Sequence, residues 1–159
     1  MKKRILMVCL GNICRSPMAK AILIKKLNEK NITRVEVDSA GTSDYHSGGK
    51  ADYRTMESGK KHGIDLSTHR ARQFTRHDFD TFDLIYAMDS TNYSDILNQA
   101  SKKEEAEKVK MILNEINPGA NLSVPDPWFG GEKDFEKVFA MLDKACDIIL
   151  EKIQKEEKQ

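Results

Sequence analysis

Long apolar runs, an excess of charge of one sign and paired cysteines are all missing from this chain of 159 residues. No stretch approaches the roughly 20 apolar residues of a membrane-spanning helix, which excludes that mode of membrane attachment. Basic and acidic residues nearly cancel, 26 against 25, so the bulk charge favours neither nucleic acid nor a membrane surface as partner. Cysteine is scarce and odd in number, at three, which argues against a disulfide framework. Cys9 and Cys14 lack the spacing and companion ligands of a zinc site, so neither a metal nor a cofactor is called for. The start, Met-Lys-Lys-Arg, is basic, but the apolar run over 5–10 is too short for a signal-peptide core and leads into polar Gly11 and Asn12. A soluble, cytoplasmic protein is the expectation.

What is present fits one domain over residues 1–159: the length is in the single-domain range and 39% apolar residues suffice for one core. Residues 5–9 are apolar at every position, as in a strand covered on both faces of a parallel sheet. Ser16 and Pro17 read as the N-cap and first turn of a helix to about residue 30, with Ala19, Ile22, Leu23 and Leu27 at helical spacing. A second strand is predicted over 35–40, a loop over 41–52, a helix from Asp52 to Gly63, a third strand over 83–88, and a short helix over 91–99 entered at Asp89 or Ser90. The mixed charge run over 102–110 reads as a solvated face, and 109–113 as either a fourth strand or the end of that helix. Three of the four prolines and three glycines fall within 117–131, a long loop of the kind that is usually functional. The closing helix, from Asp134, is amphipathic through Phe135, Val138, Phe139, Leu142, Ala145, Ile149 and Ile153, with Cys146 on its apolar side and a frayed tail after Lys155. Strands alternating with helices imply an α/β fold with a parallel sheet covered on both faces. Ligands of such sheets bind beyond the carboxyl ends of the strands, where Cys9 lies.

The chemistry concentrates in Cys9-Leu10-Gly11-Asn12-Ile13-Cys14-Arg15-Ser16-Pro17. A short loop between a strand and a helix N-terminus can turn its N–H groups inward as an anion nest. Gly11 permits backbone conformations closed to other residues, and Asn12 tolerates the left-handed region. Arg15 offers a planar fork for two phosphate oxygens. A thiol at the mouth of this cradle sees the helix dipole, a guanidinium and the Ser16 hydroxyl, all of which favour its thiolate, a competent nucleophile towards phosphorus. A leaving alkoxide or phenoxide then needs a proton, and Asp126 in Val124-Pro125-Asp126-Pro127-Trp128-Phe129 is the best-placed donor, with the adjacent aromatics as a wall for an aromatic substrate. The same motif also fits a plain turn around a buried Trp. A Cys followed six positions later by Arg is a weak signal alone; the strand, the Gly-Asn loop and the Ser-Pro helix start make it specific.

At these residues the sequence closely resembles the low-molecular-weight protein tyrosine phosphatases, whose signature is matched by residues 9–16 and whose acid motif by Asp126-Pro127. The likeness continues through Val37-Asp38-Ser39-Ala40-Gly41-Thr42, Ala71-Arg72-Gln73, Asp83, Met88-Asp89 and Asn92, in the family's order. It implies a single domain with a four-stranded parallel sheet flanked by helices on both faces, the phosphotyrosine phosphatase I-like fold. The activity it implies is cysteine-dependent, metal-independent hydrolysis of phosphotyrosine in a protein, with inorganic phosphate as product. By position it implies Cys9 as nucleophile, Asp126 as general acid and then base, and Arg15 as phosphate clamp beside the backbone of Leu10, Gly11, Asn12, Ile13 and Cys14. Asn12, Ser16, Ser39 and His69 would form a hydrogen-bonded support for the loop, and Tyr45, Trp128 and Phe129 would line the cleft.

Many relatives carry two tyrosines after Asp-Pro, proposed in some as phosphorylation sites; Trp128 and Phe129 have no hydroxyl, so that control is absent at those positions. Arsenate reductases of this fold need further cysteines, and none lies between Cys14 and Cys146. Phosphoarginine-selective relatives tend to have Thr where this chain has Ile13, so phosphotyrosine ranks first. Cys14 remains a redox candidate that would protect Cys9 through a reversible disulfide. A non-catalytic phosphate-binding module is the reading from another class, and the joint presence of Cys9, Arg15 and Asp126 speaks against it.

Overall fold

The apolar run near the N-terminus forms the centre of the sheet. In the computed structural model, which describes residues 2–158, strand β1 (Lys3–Cys9) pairs in parallel with β2 (Val35–Gly41) on one side and β3 (Leu84–Ala87) on the other. β4 (Val109–Met111) lies beyond β3, giving the order β2-β1-β3-β4. Side chains alternate across a strand, so Ile5, Met7 and Cys9 enter one apolar cluster while Leu6 and Val8 enter a second one on the opposite face. Burial on both sides explains why no polar residue interrupts 5–9.

The first face is covered by α1 (Arg15–Glu29) and α6 (Glu132–Glu157), through Met18, Ile22, Leu23, Val138, Leu142, Cys146 and Ile149. α2 (Tyr53–Lys61), capped by the Asp52 carboxylate on the Arg54 N–H, packs beside α6. The second face is covered by α3 (His77–Thr81) and α4 (Ser90–Gln99), through Phe79 and Ile96. α5 (Lys103–Glu107) precedes β4. No helix of the described residues is long and apolar enough to cross a membrane. From β1 the chain passes through α1 to β2, then returns across β1 to β3. Connections therefore leave the carboxyl ends of neighbouring β1 and β3 towards opposite edges, the switch point at which open α/β sheets hold ligands; Cys9 ends β1 there.

Several expectations need correction. Helix α1 begins at Arg15 with Cys14 as its cap residue, and Ser16 caps nothing: it lies inside the helix, and its hydroxyl is directed at Cys9. The charge run is not one solvated face. It divides into α5 and β4, in which Val109 and Met111 are buried around exposed Lys110, while buried Glu105 accepts the N–H groups of Ser101 and Lys102. Helix α6 starts at Glu132, because the Asp134 carboxylate accepts the Gly131 N–H and so acts within the first turn. It continues to Glu157 without fraying, held by pairs from Lys3 to Glu156 and from Arg34 to Glu157. Helix α3 escapes a sequence reading, being one polar turn that buries only Asp78 and Phe79.

Leu142 is fully buried in the larger cluster, where α6 meets the sheet. Leu142→Ala is expected to lower the unfolding free energy by about 2–5 kcal/mol, read as a shift of the urea midpoint at unchanged m-value.

Candidate active site

The loop that follows Cys9 is shaped by where its carbonyls point. The carbonyls of Cys9 and Leu10 accept the N–H groups of Thr42 and Ser43 at 2.9 and 3.0 Å, that of Asn12 accepts His69 Nε2 at 2.7 Å, and that of Ile13 accepts the Asp52 N–H at 2.8 Å. With the carbonyls tied outward, the amides turn the other way. Those of residues 11–15 have no hydrogen-bond partner among the described residues. Backbone N–H groups without partners are rare, and a ring of them at the start of α1 can accept an anion.

Asn12 makes the bend possible. Its backbone is left-handed, at φ 57; its Nδ2 donates to Ser16 Oγ at 2.8 Å and Ser39 Oγ at 2.9 Å, and its Oδ1 accepts the Arg72 N–H at 3.0 Å. The support expected from Asn12, Ser16, Ser39 and His69 is assembled, with Arg72 as a further member. Gly11, by contrast, is not left-handed. What it supplies is space, since a Cβ there would come within 2.9 Å of His46 Cδ2. The close approach of β2 needs Gly41 for the same reason: a Cβ would meet Leu10 O at 2.7 Å.

Cys9, 2% exposed, places Sγ 3.0 Å from Ser16 Oγ. Asn12 donates to that oxygen, and the hydroxyl proton can point at the sulfur or at Ala40 O, 3.4 Å away. Arg15, equally buried, is fixed on one side by Nη1, which donates to Asp89 Oδ2 at 2.7 Å and to Val124 O at 2.9 Å; Nη2 reaches to 3.7 Å from Asp126 Oδ2. Burial works against the Arg15 charge, but Cys9 and Asp89 outweigh it and raise its pKa above the usual value. Asp126 stands at the rim, its Oδ1 accepting the Trp128 N–H at 3.1 Å.

These groups share one cavity of about 460 Å³, whose wall includes Leu10, Ile13, Ser43, Tyr45, His46, Trp128 and Phe129. Tyr45 and Phe129 are highly exposed, at 85% and 97%, and Trp128 is not the buried core of a turn. The plain-turn alternative for 125–128 therefore does not describe this loop. Cys14 also lines the cavity, and burial pushes its thiol up to about 12, leaving it un-ionised near neutrality and a slow attacker of an oxidised Cys9. Sequence reasoning gave no role to His46, 5.0 Å from the Tyr45 ring and 5.9 Å from the Trp128 ring, or to Asp89 as the partner of Arg15. The loop signature was the only pointer to a cation's counter-ion, and it does not say where along the chain that acid lies.

The chain matches the profile of the family described as low molecular weight phosphotyrosine protein phosphatase over residues 4–159. A protein of that description from Pongo abelii is 45% identical over 152 residues, covering 94% of this chain and 95% of its own. The chain belongs to this family. A protein tyrosine phosphatase from Entamoeba histolytica, solved with Hepes in its active site, superposes with a TM-score of 0.91 at 36% identity, covering 98% of this chain and 99% of its own. A Drosophila arginine phosphatase superposes with a TM-score of 0.87 at 30% identity, covering 96% and 98%. The low molecular weight phosphotyrosine phosphatase fold thus accounts for nearly the whole chain.

His69 ties this family's loop to pH. Burial, ahead of the opposing bond to the Asn12 carbonyl, lowers its pKa below the ordinary value of 6.5, so it is neutral near pH 7 and donates Nε2–H. The unfolded chain binds the proton more readily, so the stability is complete above pH 6.5 and is lost as pH falls through the folded-state value. Urea midpoints measured downward from neutrality are expected to fall more steeply for the unsubstituted protein than for His69→Gln, which keeps a donor but cannot titrate.

Proposed function

We propose that the protein hydrolyses phosphotyrosine in proteins through a phosphocysteine intermediate on Cys9. The observation that carries this reading is the sulfur of Cys9 beneath a ring of unpartnered amides, with a guanidinium held beside it by Asp89. A phosphate dianion seated on the amides of residues 10–15 and on the free edge of Arg15 puts phosphorus in line with Sγ. The thiolate attacks, the S–P bond forms and the ester P–O bond breaks, and Asp126 gives its proton to the departing phenoxide. Asp126 then takes a proton from water, whose oxygen attacks phosphorus. The thiolate departs, stabilised by the Ser16 hydroxyl, and inorganic phosphate is released. Amides and Arg15 stabilise charge on the equatorial oxygens in both steps. The chemistry uses no metal, and the free thiol suits a reducing compartment such as the cytoplasm.

Tyr45, His46, Trp128 and Phe129 around the mouth favour an aromatic ester. A phosphoarginine substrate is the second reading, since an arginine phosphatase is among the proteins of the same fold; Ile13 in the cavity wall, apolar where a guanidinium would seek an acceptor, ranks it second.

Cys9→Ser should abolish turnover of para-nitrophenyl phosphate while inorganic phosphate still binds, measured by calorimetry; retained turnover would move the nucleophile elsewhere. Asp126→Asn should slow phenyl phosphate on the order of 10²–10⁴-fold but para-nitrophenyl phosphate much less, because the better leaving group hardly needs the proton. Equal losses on the two esters would remove the acid role from Asp126.

A further inference from the structure

We infer that Arg54 is a positioning residue that sets the angle of the acid loop over the cysteine loop; this rests on the reading of Asp126 as the proton donor. Residues 125–130 are secured at their two ends. Val124 donates its N–H to Met88 O at 2.8 Å and offers its carbonyl to Arg15, and Gly131 is held by Asp134. Between these ends the bonds of the loop are its own, from Trp128 N–H to Asp126 Oδ1 and from Gly130 N–H to Pro127 O at 2.8 Å. Such bonds fix the shape of the loop but not its position on the body of the protein.

Two cations reach the loop from outside. Arg15 Nη2 lies 3.7 Å from Asp126, but Arg15 must face a bound phosphate and so cannot also be the permanent anchor of the acid. Arg54 has no such second duty. Its Cζ stands 5.4 Å over the centre of the Trp128 ring and 4.7 Å over that of Phe135, so the guanidinium contacts both a ring of the acid loop and a buried ring of α6. Nη1 also approaches Gly130 O at 3.4 Å. A planar, delocalised guanidinium can meet aromatic rings while its edge keeps its hydrogen bonds, which a Lys ammonium cannot do in the same geometry.

The other end of Arg54 is fastened to the cysteine loop. Nε and Nη2 grip the two oxygens of Asp52 at 3.2 Å each, and the Arg54 N–H donates to the same carboxylate at 2.8 Å. Asp52 in turn donates its N–H to Ile13 O, one of the outward carbonyls that curl the anion site. A continuous chain of contacts therefore runs from the amide ring through Ile13, Asp52 and Arg54 to Trp128, and through the Trp128 N–H to the carboxylate of Asp126. Arg54 touches neither sulfur nor phosphate in this arrangement. It acts by holding the donor within reach of the leaving oxygen.

The chain has one tryptophan, and it is Trp128, so its fluorescence reports on this stack alone. The experiment compares the full-length protein with Arg54→Met and Arg54→Lys, each also in an Asp126→Asn background, using phenyl phosphate, para-nitrophenyl phosphate, inorganic phosphate as inhibitor, and acrylamide quenching of Trp128. Both Arg54 variants should lower kcat on phenyl phosphate roughly 10- to 10²-fold and on para-nitrophenyl phosphate distinctly less, with phosphate inhibition within about threefold of the parent because the amide ring is untouched. Quenching should rise, and beside Asp126→Asn the Arg54 loss should shrink to about twofold, since a displaced donor matters only while there is a donor. If Asp126→Asn shows leaving-group dependence but the Arg54 loss persists undiminished beside it, or if quenching and rates stay at parental values, the Arg54 inference falls alone. If Asp126→Asn slows both esters equally, the acid assignment falls and the inference with it.

Discussion

The left-handed turn at Asn12 is the constraint on which the site depends. A non-glycine residue in that region costs free energy, of order 1 kcal/mol or more, and persists only if its surroundings over-determine it. Here they do: its side chain binds Ser16, Ser39 and the Arg72 amide, and its carbonyl binds His69. All of these partners but Ser16 come from outside the loop, from β2 and the segment after α2, so the loop is curled largely by the assembled fold. An asparagine suits the position because it tolerates the left-handed region and brings three bonds that glycine could not make. The result is a loop whose amides are held in fixed directions, the arrangement that makes electrostatic stabilisation effective.

The same logic governs the charges. A guanidinium as buried as Arg15 is costly unless paired, and Asp89 and the Val124 carbonyl supply the pairing on one edge only. The other edge is left to the cavity. Asp89 has a second task, since its Oδ1 caps α4 through the Asn92 N–H at 2.7 Å. One carboxylate thereby links the helix behind β3 to Arg15, and the cap fixes in place the carboxylate that holds the cation.

How much of this could be read from the sequence follows from how local each feature is. Strand β1, the loop after it and Arg15 beside the loop lie close together in sequence, so apolar run, Gly-Asn turn and Ser-Pro helix start singled them out together. Even there the reading was incomplete: Ser16 was expected near the Cys9 thiol but was also read as a helix cap, which it is not; Gly11 and Asn12 were both offered for an unusual backbone, and only Asn12 takes one while Gly11 clears room for His46. Asp89, His46 and Arg54 belong to the site through contacts that cross tens of residues, and nothing in their immediate neighbours distinguishes them from surface polar residues. His69 was placed by family resemblance alone. The short elements α3, α5 and β4 were obscured because each buries only one or two side chains, too few for a period to show.

The pair from Lys3 to Glu156 ties the beginning of β1 to the end of α6, and the pair from Arg34 to Glu157 ties the start of β2 to it, all at the amino ends of the strands and so opposite Cys9. Lys3 and Glu157 therefore lie on the side away from the cleft. A surface tether or an affinity handle that reaches the protein beside either of them would leave the mouth formed by Tyr45, His46, Trp128 and Phe129 open, so immobilised protein presents its cleft outward whichever of the two is chosen.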